Sequence, residues 1–175
     1  IVRPPCVFGR GDRNLLRLVK LVRRGWEFHA HPGYQYSFVH VDDVVETLIT
    51  AASSGRRVLP EPDGGQAGVY FVADPQPVTF PELSSMIGQC LAVSRVRHVR
   101  VPYAAAWLAA LIGDLTQVTT GRQVYMNRDK LREAYAGSWI CDPARARGEW
   151  GWAPECGLAK RLAQTCTDYR ADGWI

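Results

Sequence analysis

The stretch IVRPPCVFGRGD, at positions 1–12, is the most informative segment for the fold of this chain. They form an apolar run with two prolines that leads into a Gly-x-Gly turn. Because proline cannot donate to a sheet ladder, we expect a strand that ends near Arg3. Asp12 or Asn14 can then cap a helix whose apolar residues recur on one face across residues 15–24. The segment therefore predicts a strand, a glycine turn and an amphipathic helix.

The next segments continue this alternation. The run SFVHV at 37–41 is strand-like, and the helix after it has a pattern that resembles a capping box, Asp43 with Glu46. We expect that helix to bury its apolar residues, which are Val44, Val45, Leu48 and Ile49.

The rest of the chain follows the same order. We predict a turn-rich loop at 60–68 and strands at 69–74 and 96–101. Helices are predicted after a capping box at Thr79–Glu82, over 103–119 and at the carboxyl end. Strands that alternate with helices indicate the α/β class.

Composition narrows the classes of function. The chain has 175 residues, 47% hydrophobic and 22% charged, with a net charge of +4, which is typical of a globular domain. Five cysteines without a CxxC pair favour reduced thiols in the cytoplasm and no metal site. The arginines between residues 13 and 24 suit a solvated helix face, so we expect no nucleic-acid partner. The apolar stretch 101–115 is too short to span a bilayer.

One motif invites a cofactor interpretation from the residues alone. Gly9, Gly11 and Asn14 follow a strand and open a helix, which is the setting of a dinucleotide fingerprint. The third glycine is replaced by Asn14, which disfavours close packing of helix on strand. A turn is therefore favoured over a phosphate cradle.

Five segments together resemble one family in order and spacing: IVRPPCVFGRGD, FVHVDDVVETLI, GVYFVADPQPVTFPEL, SWICDPARARGEWGWAP and GLAKRLAQTCTDYRADGWI. The chain resembles the C-terminal part of an extended short-chain dehydrogenase/reductase. The nearest likeness is to the NAD-dependent epimerase/dehydratase group, on its 3β-hydroxysteroid dehydrogenase-like side. The resemblance extends over essentially the whole chain.

This resemblance implies the C-terminal portion of a Rossmann-like NAD(P)-binding fold with its small substrate-binding lobe, and an N-terminal half that is absent. We expect one incomplete domain over 1–175. Its last sheet strands would lie at about 1–8 and 37–53, interleaved with the lobe at about 9–36 and 60–175. The family's glycine-rich loop is missing, and no tyrosine has a lysine four residues on. We therefore expect no catalytic residue here and no activity from this chain alone.

The resemblance also implies site residues by position. The end of the first strand would border the nicotinamide of NAD or NADP, through Pro4, Pro5, Cys6 and Val7. The residues after it, Phe8, Gly9 and Arg10, would begin the substrate-facing loop. The alternative is that the prolines only end a strand and that Val7 and Phe8 belong to the core.

The substrate class stays open at this point. The implied substrate is a small-molecule alcohol or ketone or a nucleotide sugar, and the lack of an obvious arginine constellation favours the former slightly. The resemblance leaves a homodimer of the parent protein open. Two further interpretations remain: a non-catalytic binding or regulatory module of the same shape, and a small nucleotide-binding protein that uses the turn at 9–14. The helix at 103–112 either belongs to the core, lines an apolar pocket or rests on a membrane, and the core is favoured.

Overall fold

The computed structural model describes residues 1–58, 67–121, 124 and 126–175. The strands in these residues are β1 (Val2–Arg3), β2 (Cys6–Phe8), β3 (Trp26–His29), β4 (Gln35–Tyr36), β5 (Phe38–His40), β6 (Tyr70–Phe71), β7 (Val78–Thr79) and β8 (Arg97–Arg100). The helices are α1 (Arg13–Arg23), α2 (Val41–Ser54), α3 (Phe80–Cys90), α4 (Tyr103–Thr120), α5 (Arg128–Tyr135), α6 (Ala144–Trp150) and α7 (Leu158–Ala171). Most of the predicted loop at 60–68 lies outside the described residues.

The strands pair mainly in parallel. β1 pairs with β6, β2 with β5 and β3 with β8 in parallel, whereas β4 and β7 are antiparallel. Parallel neighbours require crossover connections, and helices provide them here. The α/β class is thus confirmed. The first strand ends at Arg3 as predicted, and a second strand starts at Cys6, after the prolines.

The main core lies between α1, α3 and α7. Helix α1 starts at Asp12, whose carboxylate accepts the backbone N–H groups of Asn14 and Leu15. Val19 and Val22 on its inner face are fully buried. They join side chains from the other two helices, among them Leu83, Ile87, Leu162 and Tyr169. This helix and the capping box at Thr79–Glu82 have the predicted form.

Helix α2 departs from the prediction at its start. Its N-cap is His40, whose ring Nδ1 accepts the backbone N–H of Asp42 at 3.3 Å. The capping box of Asp43 and Glu46 was wrong, because β5 runs directly into the helix and places Asp43 in its first turn, where it is buried.

The predicted inner face of α2 was also wrong in part. Val44 is buried with Asp43 and Thr47, but Val45, Leu48 and Ile49 are 50%, 52% and 68% exposed. Asp43 and Thr47 turn inward instead, and Asp43 has an ionic partner in the interior, described below. An apolar stripe is left on the outside.

Helices α4 and α5 form a separate small cluster. Ala106 and Ala110 of α4 pack with Leu131 of α5. Helix α4 ends at Gly121 in a left-handed conformation, close to the predicted end. In the described part of the chain, no helix is both long and apolar enough to cross a membrane.

Candidate functional site

The site is the edge of the sheet at which β2 and β5 end side by side. The two strands are parallel, and Phe8 lies opposite His40 in their register. In open α/β sheets, ligands bind in the crevice outside the carboxyl ends of the strands. The loop at 9–12 and the first turn of α2 meet at this edge.

The predicted site residues lie along this edge with different exposure. Pro4 and Pro5 join β1 to β2, and Val7 is 39% exposed. Phe8 is buried in the main core, where its ring packs edge-on against Phe38. Their predicted roles in binding cofactor and substrate remain predictions.

Gly9 allows the loop to approach α2 closely. A Cβ atom at this position would lie 2.5 Å from Val41 Cγ1 and 3.2 Å from His40 Nε2. Its carbonyl oxygen accepts the backbone N–H of Asp12 at 3.1 Å and the Tyr169 hydroxyl at 3.4 Å. Glycine is therefore needed here because the backbone passes directly over the helix start.

Arg10 is exposed but is already bonded to the carboxyl end of α7. Its Nε and Nη2 donate to the two carboxylate oxygens of Asp172, at 3.1 and 2.7 Å. This hydrogen bonding raises the pKa of Arg10 and holds the pKa of Asp172 below its usual value. A planar guanidinium of this kind also suits two-point recognition of a phosphate. A ligand phosphate would have to compete with Asp172.

Cys6 is exposed, yet its thiol is not activated. Desolvation raises the pKa of this thiol, and the charges of Glu133 and Cys141 raise it further. The thiolate is the nucleophilic form of cysteine, so a raised pKa argues against nucleophilic chemistry.

Two aspartates and a distant arginine form the charged cluster beside this edge. Arg161 of α7 donates to both oxygens of Asp43, at 3.2 and 2.5 Å, and also contacts Asp42 and Glu155. The side chains of Arg161 and Asp43 are 6% and 3% exposed. The ion pair therefore fastens the start of α2 to α7. Sequence reasoning missed Arg161 because it lies 118 residues from its partner.

His40 completes this cluster as a neutral group. Burial lowers the pKa of its ring, which is consistent with Nδ1 acting as an acceptor. Its Nε2 has no hydrogen-bond partner among the described residues. A cavity of about 10 Å³ lies between Phe8, His40, Asp43 and Arg161. That volume is about what one water molecule needs, so a water molecule in this cavity can form a hydrogen bond with Nε2.

A larger open cavity of about 630 Å³ lies nearby. It is lined by the turn after β6, with Asp74 and Gln76, and by the start of α7, with Gly157 and Lys160. Asp74 borders both cavities. The seven predicted residues do not line the larger cavity. In the described ranges, no group of three or more His, Cys, Asp or Glu side chains is placed to hold a metal ion.

Comparison with known proteins gives a match in structure only. No family model matches the sequence, and no curated protein matches it. Among solved structures, gox2253 is 17% identical, with a TM-score of 0.67, over 100% of this chain and 50% of that one. The UDP-glucose 4-epimerase of Thermotoga maritima is 17% identical, with a TM-score of 0.63, over 98% and 45%.

A third match is the dTDP-glucose 4,6-dehydratase DesIV of Streptomyces venezuelae, solved with NAD and TYD bound. It is 20% identical, with a TM-score of 0.63, over 99% of this chain and 44% of that chain. This chain has the fold of these three proteins over about half of their length. At these identities the likeness establishes the fold alone. It agrees with the partial Rossmann-like fold predicted from the five segments.

Proposed function

We propose that this chain is the substrate-binding half of an NAD(P)-dependent oxidoreductase or epimerase that acts on a hydroxyl or keto group of a small molecule. One observation carries the proposal: almost the whole chain matches about half the length of solved enzymes, among them an epimerase and two dehydratases. Several of these were crystallised with NAD or NADPH, which supports NAD(P) as the cofactor of the complete enzyme.

The proposed roles of the site residues follow from the family resemblance. The edge at Pro4, Pro5, Cys6 and Val7 borders the nicotinamide, and the stretch Phe8, Gly9 and Arg10 begins the substrate-facing loop, with the Phe8 side chain buried beneath it. The chain has no glycine-rich loop of the family's kind and no Tyr-x-x-x-Lys pair for proton transfer. The chain alone is therefore inactive.

A nucleotide sugar is the substrate class that we propose. Neighbours of this fold were solved with UDP-glucose and with UDP-glucuronic acid. The sequence slightly favoured a simple alcohol or ketone, because it has no obvious arginine constellation, but no neighbour supports that class comparably. In this chain, Arg10 provides an exposed guanidinium at the start of the substrate loop.

The first test concerns the complete enzyme. The coding DNA upstream of Ile1 is read in the same frame, and the longer product is expressed and assayed for NAD(P)H formation. We expect a glycine-rich βαβ start and a Tyr-x-x-x-Lys motif, and activity only in the longer protein. A stop codon directly before Ile1, or turnover by the 175 residues alone, would contradict the proposal.

The second test concerns the substrate loop. Isothermal titration of the 175-residue chain with UDP-glucose is compared between the native protein and Arg10→Ala. We expect weaker binding in this variant and no change in Arg24→Ala, a matched control at the far end of α1. Equal affinity in all three proteins would remove Arg10 from the site. NAD⁺ titrated alongside should not bind tightly; tight binding would favour a nucleotide-binding protein that uses the turn at 9–14.

A further inference from the structure

Helix α4 has its small residues inside and its large apolar residues outside. Ala106, Ala110 and Gly113 face the protein and are buried. The outward side chains are between 40% and 82% exposed, and they are Trp107, Leu108, Leu111, Ile112, Leu115 and Val118. A continuous exposed apolar surface of this kind is typical of a site that contacts another protein or a membrane.

The packing beneath α4 fixes this orientation. A Cβ atom on Gly113 would overlap the carbonyl oxygen of Met126, so the helix sits against this backbone at the closest possible distance. Rotation of α4 to bury the leucines would drive larger side chains into that contact. The outward face is therefore a fixed feature of the fold.

The face carries no free charge. Asp114 is the one charged residue of α4, and its carboxylate is bonded to Arg128. On α5, Glu133 is paired with Lys130 and Asp129 with Arg132. Three exposed arginines, Arg95, Arg97 and Arg100, precede the helix in the sequence. Arg97 lies over the Trp26 ring, whereas the charge of Arg100 acts on Tyr135, which packs edge-on against Tyr103 at the start of α4. Arg100 thus places positive charge at the amino-terminal end of α4.

Two protein occupants fit these observations less well. The principal contacts of α4 are with α5, and in the described residues no comparable contact joins α4 to β1, β2, β5 or β6. A partner that only extended the parallel sheet would meet those strands rather than α4. A second copy would offer from α4 and α5 only carboxylates that are already ion-paired, so the arginines would gain no partner.

We propose that α4 lies flat on an anionic lipid surface. Its apolar side chains would enter the acyl boundary, while Tyr103 and Trp107 lie at headgroup level and the arginines contact lipid phosphates. The helix has 18 residues, about 27 Å at the usual rise, so it provides an extended contact in the plane of the bilayer. This inference does not depend on the proposed function.

Vesicle co-sedimentation tests the proposal with the 175-residue chain. Vesicles of phosphatidylcholine with phosphatidylglycerol are compared with phosphatidylcholine alone, at low and high salt. We expect binding to the anionic vesicles that weakens with salt. The variant Leu111→Gln/Leu115→Gln should bind at least about tenfold more weakly. The matched control Leu48→Gln/Ile49→Gln alters the exposed stripe of α2 and should bind as the native chain does.

Four results would overturn the proposal. The chain could fail to bind either vesicle, both paired variants could lose binding equally, or binding could ignore lipid charge and salt. A dimer in sedimentation velocity that the α4 variant abolishes would assign the face to a second copy instead. Circular dichroism confirms that each variant is folded. Lipids with brominated acyl chains should quench the tryptophan fluorescence of Trp107→Phe less than that of the native chain. In Trp26→Phe, the quenching due to Trp107 should remain.

Discussion

Helices α1 and α2 both follow a strand that ends at the same sheet edge, yet α1 buries only apolar side chains, whereas α2 buries two polar side chains beside Val44. Helix α1 turns Leu15, Val19 and Val22 inward, as its apolar spacing predicts. Helix α2 turns Asp43 and Thr47 inward and leaves Leu48 outside. The spacing of apolar residues predicts which face of a helix is buried, but a buried ion pair can determine the orientation of the helix instead.

The largest expected effect tests that ion pair. Arg161→Ala leaves the buried carboxylate of Asp43 without its cation and should lower the free energy of unfolding by about 3–5 kcal/mol. Asp43→Ala leaves Arg161 its contacts with Asp42 and Glu155 and should cost less. Urea denaturation measures this loss. The double variant should lose less than the sum of the two single losses, because the charge left by the first change is gone. Single losses below about 1 kcal/mol would show that Asp43 is turned inward for another reason.

Two leucines of opposite environment sharpen the comparison. Leu162 in α7 is 1% exposed and Leu48 in α2 is 52% exposed. Leu162→Ala should lower the free energy of unfolding by about 2–5 kcal/mol, because it leaves a cavity in the main core. Leu48→Ala should change it by less than about 0.5 kcal/mol. If Leu48→Ala costs as much as Leu162→Ala, the outward stripe of α2 is covered in solution.

Gly9 tests how closely the loop at 9–12 must approach α2. Gly9→Ala places a methyl group against Val41 Cγ1, and this branched side chain has few alternative rotamers. We expect a loss of about 1–3 kcal/mol in the free energy of unfolding. Gly148→Ala is the control, because a Cβ there meets no atom within 4 Å, and it should be neutral or stabilising. Equal behaviour of the two variants would mean that the loop relaxes away from the helix.

The same contrast marks what can be predicted from sequence. Asp12 and the pair Thr79–Glu82 cap their helices through residues two or three positions away, so a local pattern is enough to find them. The orientation of α2 depends on Arg161, which folding alone brings to Asp43. The stretch Pro4–Arg10 was predicted by resemblance, and the structure places it at the edge where β2 and β5 end. Its role in binding a ligand remains a prediction, because resemblance gives a position in the chain and not a contact.

His40 provides the finest test, because its role at the start of α2 depends on a neutral ring. Burial lowers the pKa of the ring below its ordinary value of 6.5, with Asp42 opposing and Arg161 adding to the shift. The unfolded chain therefore binds a proton at a higher pH than the folded chain does. The stability contributed by His40 is complete above about pH 6.5 and is lost as the pH falls toward the folded-state pKa.

His40→Asn separates this titration from the capping role. Asparagine is a good N-cap residue and does not titrate, so the variant should retain the helix start. Urea denaturation between pH 8 and pH 5 should show a smaller loss of stability in the variant than in the native chain. The remaining histidines are present in both proteins, so their contributions cancel in the comparison. Parallel curves would mean that the folded protein accepts a proton on His40 as readily as the unfolded chain does. In that case the interpretation of His40 as a neutral ring that accepts a hydrogen bond at the start of α2 would be wrong.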